Sequence, residues 1–443
     1  MMNSSRLLSC RLHRSVKILT IWTSFCYLLF RFLDVEIGST KEIKEVPQLA
    51  CQFESVKTRN QSVRGNYTGQ MEFTVDLTSK ETCAPYHKVV FAKTHKTGSS
   101  TLQNVFFRYG SENGLTFAMP EKSWMFPFKE PFNSSMVLDL PWAKLGYDIF
   151  TFHSIWNYAE IKKVLPTAVY ITILRDPVDC FESNYVYMGL QNLYKMDINE
   201  FAKFKDSRHM VRPSKAIIGK NQMLWDLGLD WREMENITLV QSKIKDLDSQ
   251  FHFVLFAEHF DESLVMLAKI LCWDLENMRY LKQNMRKAEK VSVISSGARE
   301  TLSKWLQADY MLYDHFLEKF KRERESYGLE KLATDVRRLE LLNLQLKEDC
   351  VIEVADNSKL AGEFRMAVSM VEGYLINETK PWCAPYARSE PSFTVHVRKQ
   401  QMARAGYDTL TLHNNKKLSV LNKGMEKHEK TETKNKIEDK NLL

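Results

Sequence analysis

The sequence predicts an α/β fold with a central, mainly parallel sheet flanked by helices, and three observations predict it. Apolar runs short enough for strands recur at wide intervals, at Lys88–Lys93, Tyr147–Phe152, Val169–Leu174 and Phe253–Ala257. Stretches with helical spacing of apolar residues lie between and after them, as an alternating strand and helix order requires. The chain has 443 residues, 44% of them hydrophobic, which allows one large α/β domain with appendages.

The N-terminus precedes that domain. Ile18 to Phe30 is apolar or weakly polar, contains Trp22, Phe25, Tyr27 and Phe30, and follows Arg6, Arg11, Arg14 and Lys17 without any acid. A span usually needs roughly 17 to 25 residues, so the segment is short, and a cleaved signal peptide is its rival. No small-residue cleavage pattern follows directly. An uncleaved type II signal-anchor over 16–33 is expected, with a cytoplasmic tail at 1–15 and the rest of the chain in a lumen. A luminal stem is expected over 34–85, polar and poor in apolar runs.

Sequons begin beyond the anchor at Asn60, Asn66, Asn133, Asn236 and Asn377, and these are the expected glycosylation sites. Cys51, Cys83, Cys180, Cys272, Cys350 and Cys383 lie on the same side. Six cysteines allow 15 pairings, and the sequence does not choose among them. No CxxC or Cys/His cluster suggests a metal.

Lys88 to Gly110, KVVFAKTHKTGSSTLQNVFFRYG, reads as a buried strand, a polar loop and a helix presenting Leu102, Val105, Phe106 and Tyr109 on one face. A helix start carries unpaired N–H groups and partial positive charge, so an anion can settle there. Gly98 lets the backbone approach closely. A nucleotide triphosphatase loop would read GxxxxGK[ST]; here Lys96 precedes Gly98 and the first glycine of that pattern is missing. The bland alternative is a turn capped by Ser99 or Ser100.

A second apolar strand, VYITIL, ends in Arg175, Asp176 and Pro177 and leads into a helical stretch holding Ser183. A guanidinium at a strand end and a hydroxyl eight residues later suit a second phosphate group. With KTHKTGSST, ITILRDPVDCFESNY, EHFDESLVMLAKILCWDLENM and NMRK, most of residues 86 to 320 resembles the galactose 3-O-sulfotransferases.

That resemblance implies a P-loop-like sulfotransferase fold and 3′-phosphoadenosine 5′-phosphosulfate (PAPS) as sulfate donor. It implies that Lys96, Thr97, Gly98, Ser99, Ser100 and Thr101 hold the 5′-phosphosulfate, with Lys96 at the bridging oxygen. Arg175 and Ser183 would hold the 3′-phosphate, and Arg286 and Lys287 would close over it. His153, at the end of YDIFTFH, is the first candidate for general base, and His95 is the next. The acceptor implied is a terminal β-galactose on a glycolipid or glycoprotein glycan, modified at its 3-hydroxyl in the Golgi lumen. Trp156 and Tyr158 could stack on that sugar or belong to the core. The mechanism requires no metal, and a homo-oligomer is compatible with it.

Further along, Asp261 is expected to cap a helix over Glu262–Cys272. A second amphipathic helix, Arg299–Phe320, carries Leu302, Trp305, Leu306, Leu312, Tyr313, Phe316 and Phe320, aromatics better suited to core than to an acceptor site. The catalytic domain is expected to span 86–395. The extension 396–443 ends in a Lys/Glu-rich tail without apolar periodicity, expected to be disordered.

Charge limits the partners. The formal net charge is +7, but the residues before Asp34 carry +5 and those from Asn415 onward +3, leaving the rest at −1. A broad basic face for nucleic acid is disfavoured, so any anion site must be local. Two rival functions stand. A type II Golgi glycosyltransferase would share the anchor, stem and sequons, and Asp246-Leu247-Asp248 matches its metal-binding DxD. A catalytically inactive glycan-binding relative would have no need of Lys96 and His153.

Overall fold

The computed structural model describes residues 83–121, 123–138, 146–203 and 219–405. The expected tail, anchor, nearly all of the stem, Asn60, Asn66, Cys51 and the end of the C-terminal extension lie outside them. Among the described residues no helix is long and apolar enough to cross a membrane.

Four parallel strands form the central sheet: β1 (Val89–Ala92), β2 (Ile149–Phe150), β3 (Val169–Leu174) and β4 (Phe253–Phe256), in the order β2-β1-β3-β4. Every strand residue is buried, which is why these runs are apolar without alternation: a parallel sheet covered on both faces has no wet side. After β1 the chain adds β2 on one side and then returns to add β3 on the other. The carboxyl ends of β1 and β3 therefore form a topological switch point, where open α/β sheets bind ligands.

Helices cover the sheet: α1 (Ser99–Glu112), α2 (Tyr158–Val164), α3 (Pro177–Tyr187), α4 (Gln222–Asp226), α5 (Ile237–Gln250) and α6 (Phe260–Leu271). The predicted face of α1 is buried, and Gly110 on that helix explains its closeness to the sheet. A Cβ there would lie 2.4 Å from Phe117 and 2.7 Å from Ile149. Asp261 is not the cap of α6 but a member of its first turn, and its carboxylate accepts from the Tyr280 hydroxyl at 2.8 Å.

The second predicted helix is two, α7 (Ser296–Trp305) and α8 (Gln307–Tyr327), broken at Leu306. Leu302, Leu306, Leu312, Tyr313, Phe316 and Phe320 are buried, so this stretch is core. Gly328 turns the chain into α9 (Leu329–Cys350), which buries Leu332, Leu339 and Leu346 at seven-residue intervals.

A small antiparallel sheet follows, which the sequence did not predict. Strand β5 (Met285–Arg286) pairs with β7 (Val371–Ile376), and β7 pairs with β6 (Val351–Asp356). The last helix, α10 (Glu390–Arg404), runs through the expected domain boundary at 395/396. It does so because Val397 and Gln401 are buried, Gln401 bonding to the Phe117 backbone. Disulfides join Cys83 to Cys272 and Cys350 to Cys383, while Cys180 is a buried thiol.

Candidate active site

A cleft of about 1620 Å³ opens at the switch point. Its floor is the loop 93–98, which leaves β1 with two left-handed residues, Lys96 (φ 60) and Gly98 (φ 80). Lys96 holds that conformation because Arg175 donates to its carbonyl at 3.1 Å. Behind the loop, the Thr94 hydroxyl bonds to the Ile173 carbonyl of β3 at 2.6 Å and to Thr97 at 2.8 Å.

The expected cap from Ser99 or Ser100 does not form. Gly98 is the N-cap and offers no side chain; the Ser99 hydroxyl donates to the Thr94 carbonyl at 2.6 Å, and that of Ser100 accepts from Asn284 at 2.9 Å. The first turn of α1 has no acidic residue of its own, and the Glu390 carboxylate lies 3.5 Å from the Ser100 hydroxyl at this helix start.

Lys96, Arg175, Ser183 and Arg286 line the cleft around this helix start. The Lys96 ammonium lies 3.5 Å from the centre of the Tyr187 ring. Burial and the neighbouring Arg286, with Arg175 and Lys93, push its pKa down to about 7, against a weaker opposing effect of Cys180. Arg286 is itself set by a two-pronged pair with Glu182, at 2.8 and 2.5 Å. As a set these donors suit a ligand with two separated anionic ends.

Three expected ligands fall elsewhere. Neither Thr97 nor Thr101 lines the cleft: the Thr97 hydroxyl is used within the loop, the Thr101 hydroxyl accepts from the Gln283 backbone at 2.9 Å, and the Thr101 N–H donates to the Gly98 carbonyl at 3.0 Å. Lys287, just past the end of β5, pairs with Asp356 at the end of β6 and does not line the cleft.

His95 and His153 both line the cleft, their rings stacked with centroids 4.3 Å apart. Asp226, at the end of α4, accepts from the His95 backbone at 2.7 Å and contacts its Nδ1 at 2.8 Å. His153 has no such partner: its Nδ1 is buried and unpaired. Burial, then the charge of Lys93 and the ring of His95, hold its pKa well below the ordinary imidazole value, although a hydrogen bond to the Lys93 backbone opposes them.

Lys93 is itself fully buried between Gln103 at 2.7 Å and Glu390 at 2.6 Å. Glu390 comes from the start of α10 and also lines the cleft.

Aromatic residues also line the cleft. Trp124 and Phe128 stand on one segment and Trp225 and Trp231 on another, with Phe128 5.2 Å from His95 and 6.0 Å from Trp225 between ring centroids. None of these four was singled out in the sequence. Trp156 and Tyr158 do not line the cleft. Trp156 is buried against Phe251 and donates to Gln250 at 2.9 Å, and Tyr158 packs on Tyr170, which makes both part of the core.

Asp246-Leu247-Asp248 lies within α5, where residues two apart do not face each other. Leu247 is buried and Asp248 is held by Lys319 at 2.7 Å and His315 at 3.2 Å. Among the described residues no three His, Cys, Asp or Glu side chains gather as a metal site would require. Asn133 and Asn236 are exposed and Asn377 half-buried.

The sequence model of the galactose-3-O-sulfotransferase family matches residues 11–363. Galactosylceramide sulfotransferase of Bos taurus is 36% identical over 277 residues, covering 61% of this chain and 65% of the relative. The Homo sapiens protein of that name is 35% identical over the same shares. Galactose-3-O-sulfotransferase 2 of Sus scrofa is 27% identical over 348 residues, 72% of this chain and 85% of the relative. The match thus spans just under two thirds of the first two relatives.

Proposed function

The chain belongs to the galactose-3-O-sulfotransferase family, and from that premise we propose that it transfers sulfate from PAPS to the 3-hydroxyl of a terminal β-galactose on a glycolipid or glycan. The observation that carries this reading is that one cleft is lined by anion-binding groups (Lys96, Arg175, Ser183 and Arg286), by aromatic residues (Trp124, Phe128, Trp225 and Trp231) and by two stacked histidines. Anion-binding groups without aromatic walls would suit many nucleotide enzymes. Aromatic walls without them would suit a lectin.

The donor supplies a sulfuryl group and a phosphate leaving group. Lys96, the backbone of 97–100 and the start of α1 would hold its 5′-phosphosulfate; Arg175, Ser183 and Arg286 would hold its 3′-phosphate. Lys96 meets the charge that develops as the sulfur–oxygen bond to phosphate breaks, with the electron pair left on the phosphate. The galactose oxygen forms the new bond to sulfur, and its proton passes to a histidine of the His95–His153 pair. Trp225 and Trp231, with Trp124 and Phe128, replace Trp156 and Tyr158 as the groups that would pack on the sugar.

The remaining expectations complete the proposal: a type II protein of the Golgi membrane, anchored over 16–33, glycosylated on luminal sequons and able to form a homo-oligomer. An acceptor panel tests the reading. Full-length protein with PAPS is offered galactosylceramide, lactosylceramide, type 1 and type 2 N-acetyllactosamine and a core 1 O-glycan. Sulfation of one or more supports it, and sulfation of none, with transfer only from a nucleotide sugar, would falsify it.

A further inference from the structure

Asp226 is a buried carboxylate that accepts from the His95 backbone N–H at 2.7 Å and the Gln222 amide at 3.0 Å and contacts Nδ1 of the His95 ring at 2.8 Å. An ionised carboxylate only accepts, so the His95 ring carries its hydrogen on Nδ1 and keeps the Nε2 lone pair. The carboxylate is fixed in turn. It closes α4, whose Met223 and Leu224 N–H groups donate to buried Asp309 at 3.1 and 2.9 Å, while Asn221 accepts from the Asp309 backbone at 3.1 Å.

The two histidines therefore differ. A proton arriving on His95 is compensated by a carboxylate already in contact with the ring. A proton arriving on His153 meets the charge of Lys93, which a hydrogen bond to the Lys93 backbone offsets only in part, and its buried Nδ1 has no partner. Stacking at 4.3 Å also makes protonation of both rings unfavourable.

We propose that Asp226 is a positioning residue that fixes the tautomer of His95, so that Nε2 of His95 takes the acceptor hydroxyl's proton while His153 stays neutral beside it. The assignment rests on the sulfotransferase reading above for its chemistry, but not for its geometry. The proton leaves the galactose oxygen for Nε2, and the imidazolium formed shares its charge with Asp226.

The test is a nitrogen-15 spectrum of full-length protein labelled on histidine, with His95→Gln identifying the His95 signals. Wild-type His95 is expected in the Nδ1–H form. In Asp226→Asn the amide oxygen is needed by the His95 backbone N–H, which turns the NH₂ toward Nδ1 and selects the Nε2–H form. Turnover in that variant should fall by at least ~100-fold, with unchanged calorimetric affinity for adenosine 3′,5′-bisphosphate. A wild-type ring in the Nε2–H form overturns the proposal even if Asp226→Asn does not fold. Loss of bisphosphate affinity equal to the loss of turnover overturns it too, since Asp226 would then only shape the loop. A protein that shows the tautomer switch yet sulfates no galactoside overturns the sulfotransferase reading, and the proton-acceptor role with it.

Discussion

Lys96 is governed by its neighbours. Burial, and then the charges of Arg286, Arg175 and Lys93, push its pKa down to about 7, so above pH 7 the free protein holds it largely neutral. An anion bound against it favours the charged form. Binding of adenosine 3′,5′-bisphosphate at pH 8 is therefore expected to take up a proton, detectable by calorimetry in two buffers of different ionisation enthalpy. Lys96→Ala should abolish the uptake and lower turnover by ~100-fold or more while the fold is retained. Equal uptake in the variant would move the titrating group elsewhere.

At this scale the sequence reveals what is local. Lys96, Gly98, Arg175 and Ser183 could be found because each sits at a fixed offset from an apolar strand. The residues that tune them could not: Asp226 lies 131 residues from His95, Glu182 104 from Arg286, and Glu390 297 from Lys93. No spacing rule links such pairs; only the sheet order brings them together.

At the scale of elements, the loop containing Trp124 and Phe128 and the turn after α4 containing Trp231 both line the cleft. Their proposed duty is the acceptor. Trp231 is 38% exposed and free of the core, so Trp231→Ala is expected to raise the acceptor KM several-fold, leaving the PAPS KM and protein stability unchanged. A rise in the PAPS KM instead would place the donor on the wrong side of the cleft.

The four parallel strands were legible because burial on both faces leaves uninterrupted apolar runs. Strands β5 to β7 were not. β6 reads VIEVAD, with Ile352 and Val354 exposed, and β5 is two residues long. Trp156 and Tyr158 show the same limit: an aromatic after a strand has the same signature whether it packs inward or faces a ligand.

Across the whole molecule, disulfides tie remote parts of the chain to the domain. Cys83–Cys272 closes a sequence separation of 189 residues, and Cys350–Cys383 links the end of α9 to the segment leading into α10. The second bond encloses β6 and β7 and lies in a buried cluster with Leu281, Leu346, Tyr374 and Tyr386. Cys350→Ser with Cys383→Ser should therefore cost about 2–4 kcal/mol of stability, measured by denaturant unfolding. No change would mean that the cluster alone holds this sheet.

At the cleft Arg286 is balanced by Glu182, and Lys93 behind it by Glu390.

The central claim is that this cleft joins sulfate to galactose. Its most direct test is to incubate full-length protein with sulfur-labelled PAPS and a terminal β-galactoside, then locate the label on the sugar. The account predicts label on the galactose 3-oxygen, lost in Lys96→Ala. Label on another hydroxyl, or none with any galactoside, would contradict it.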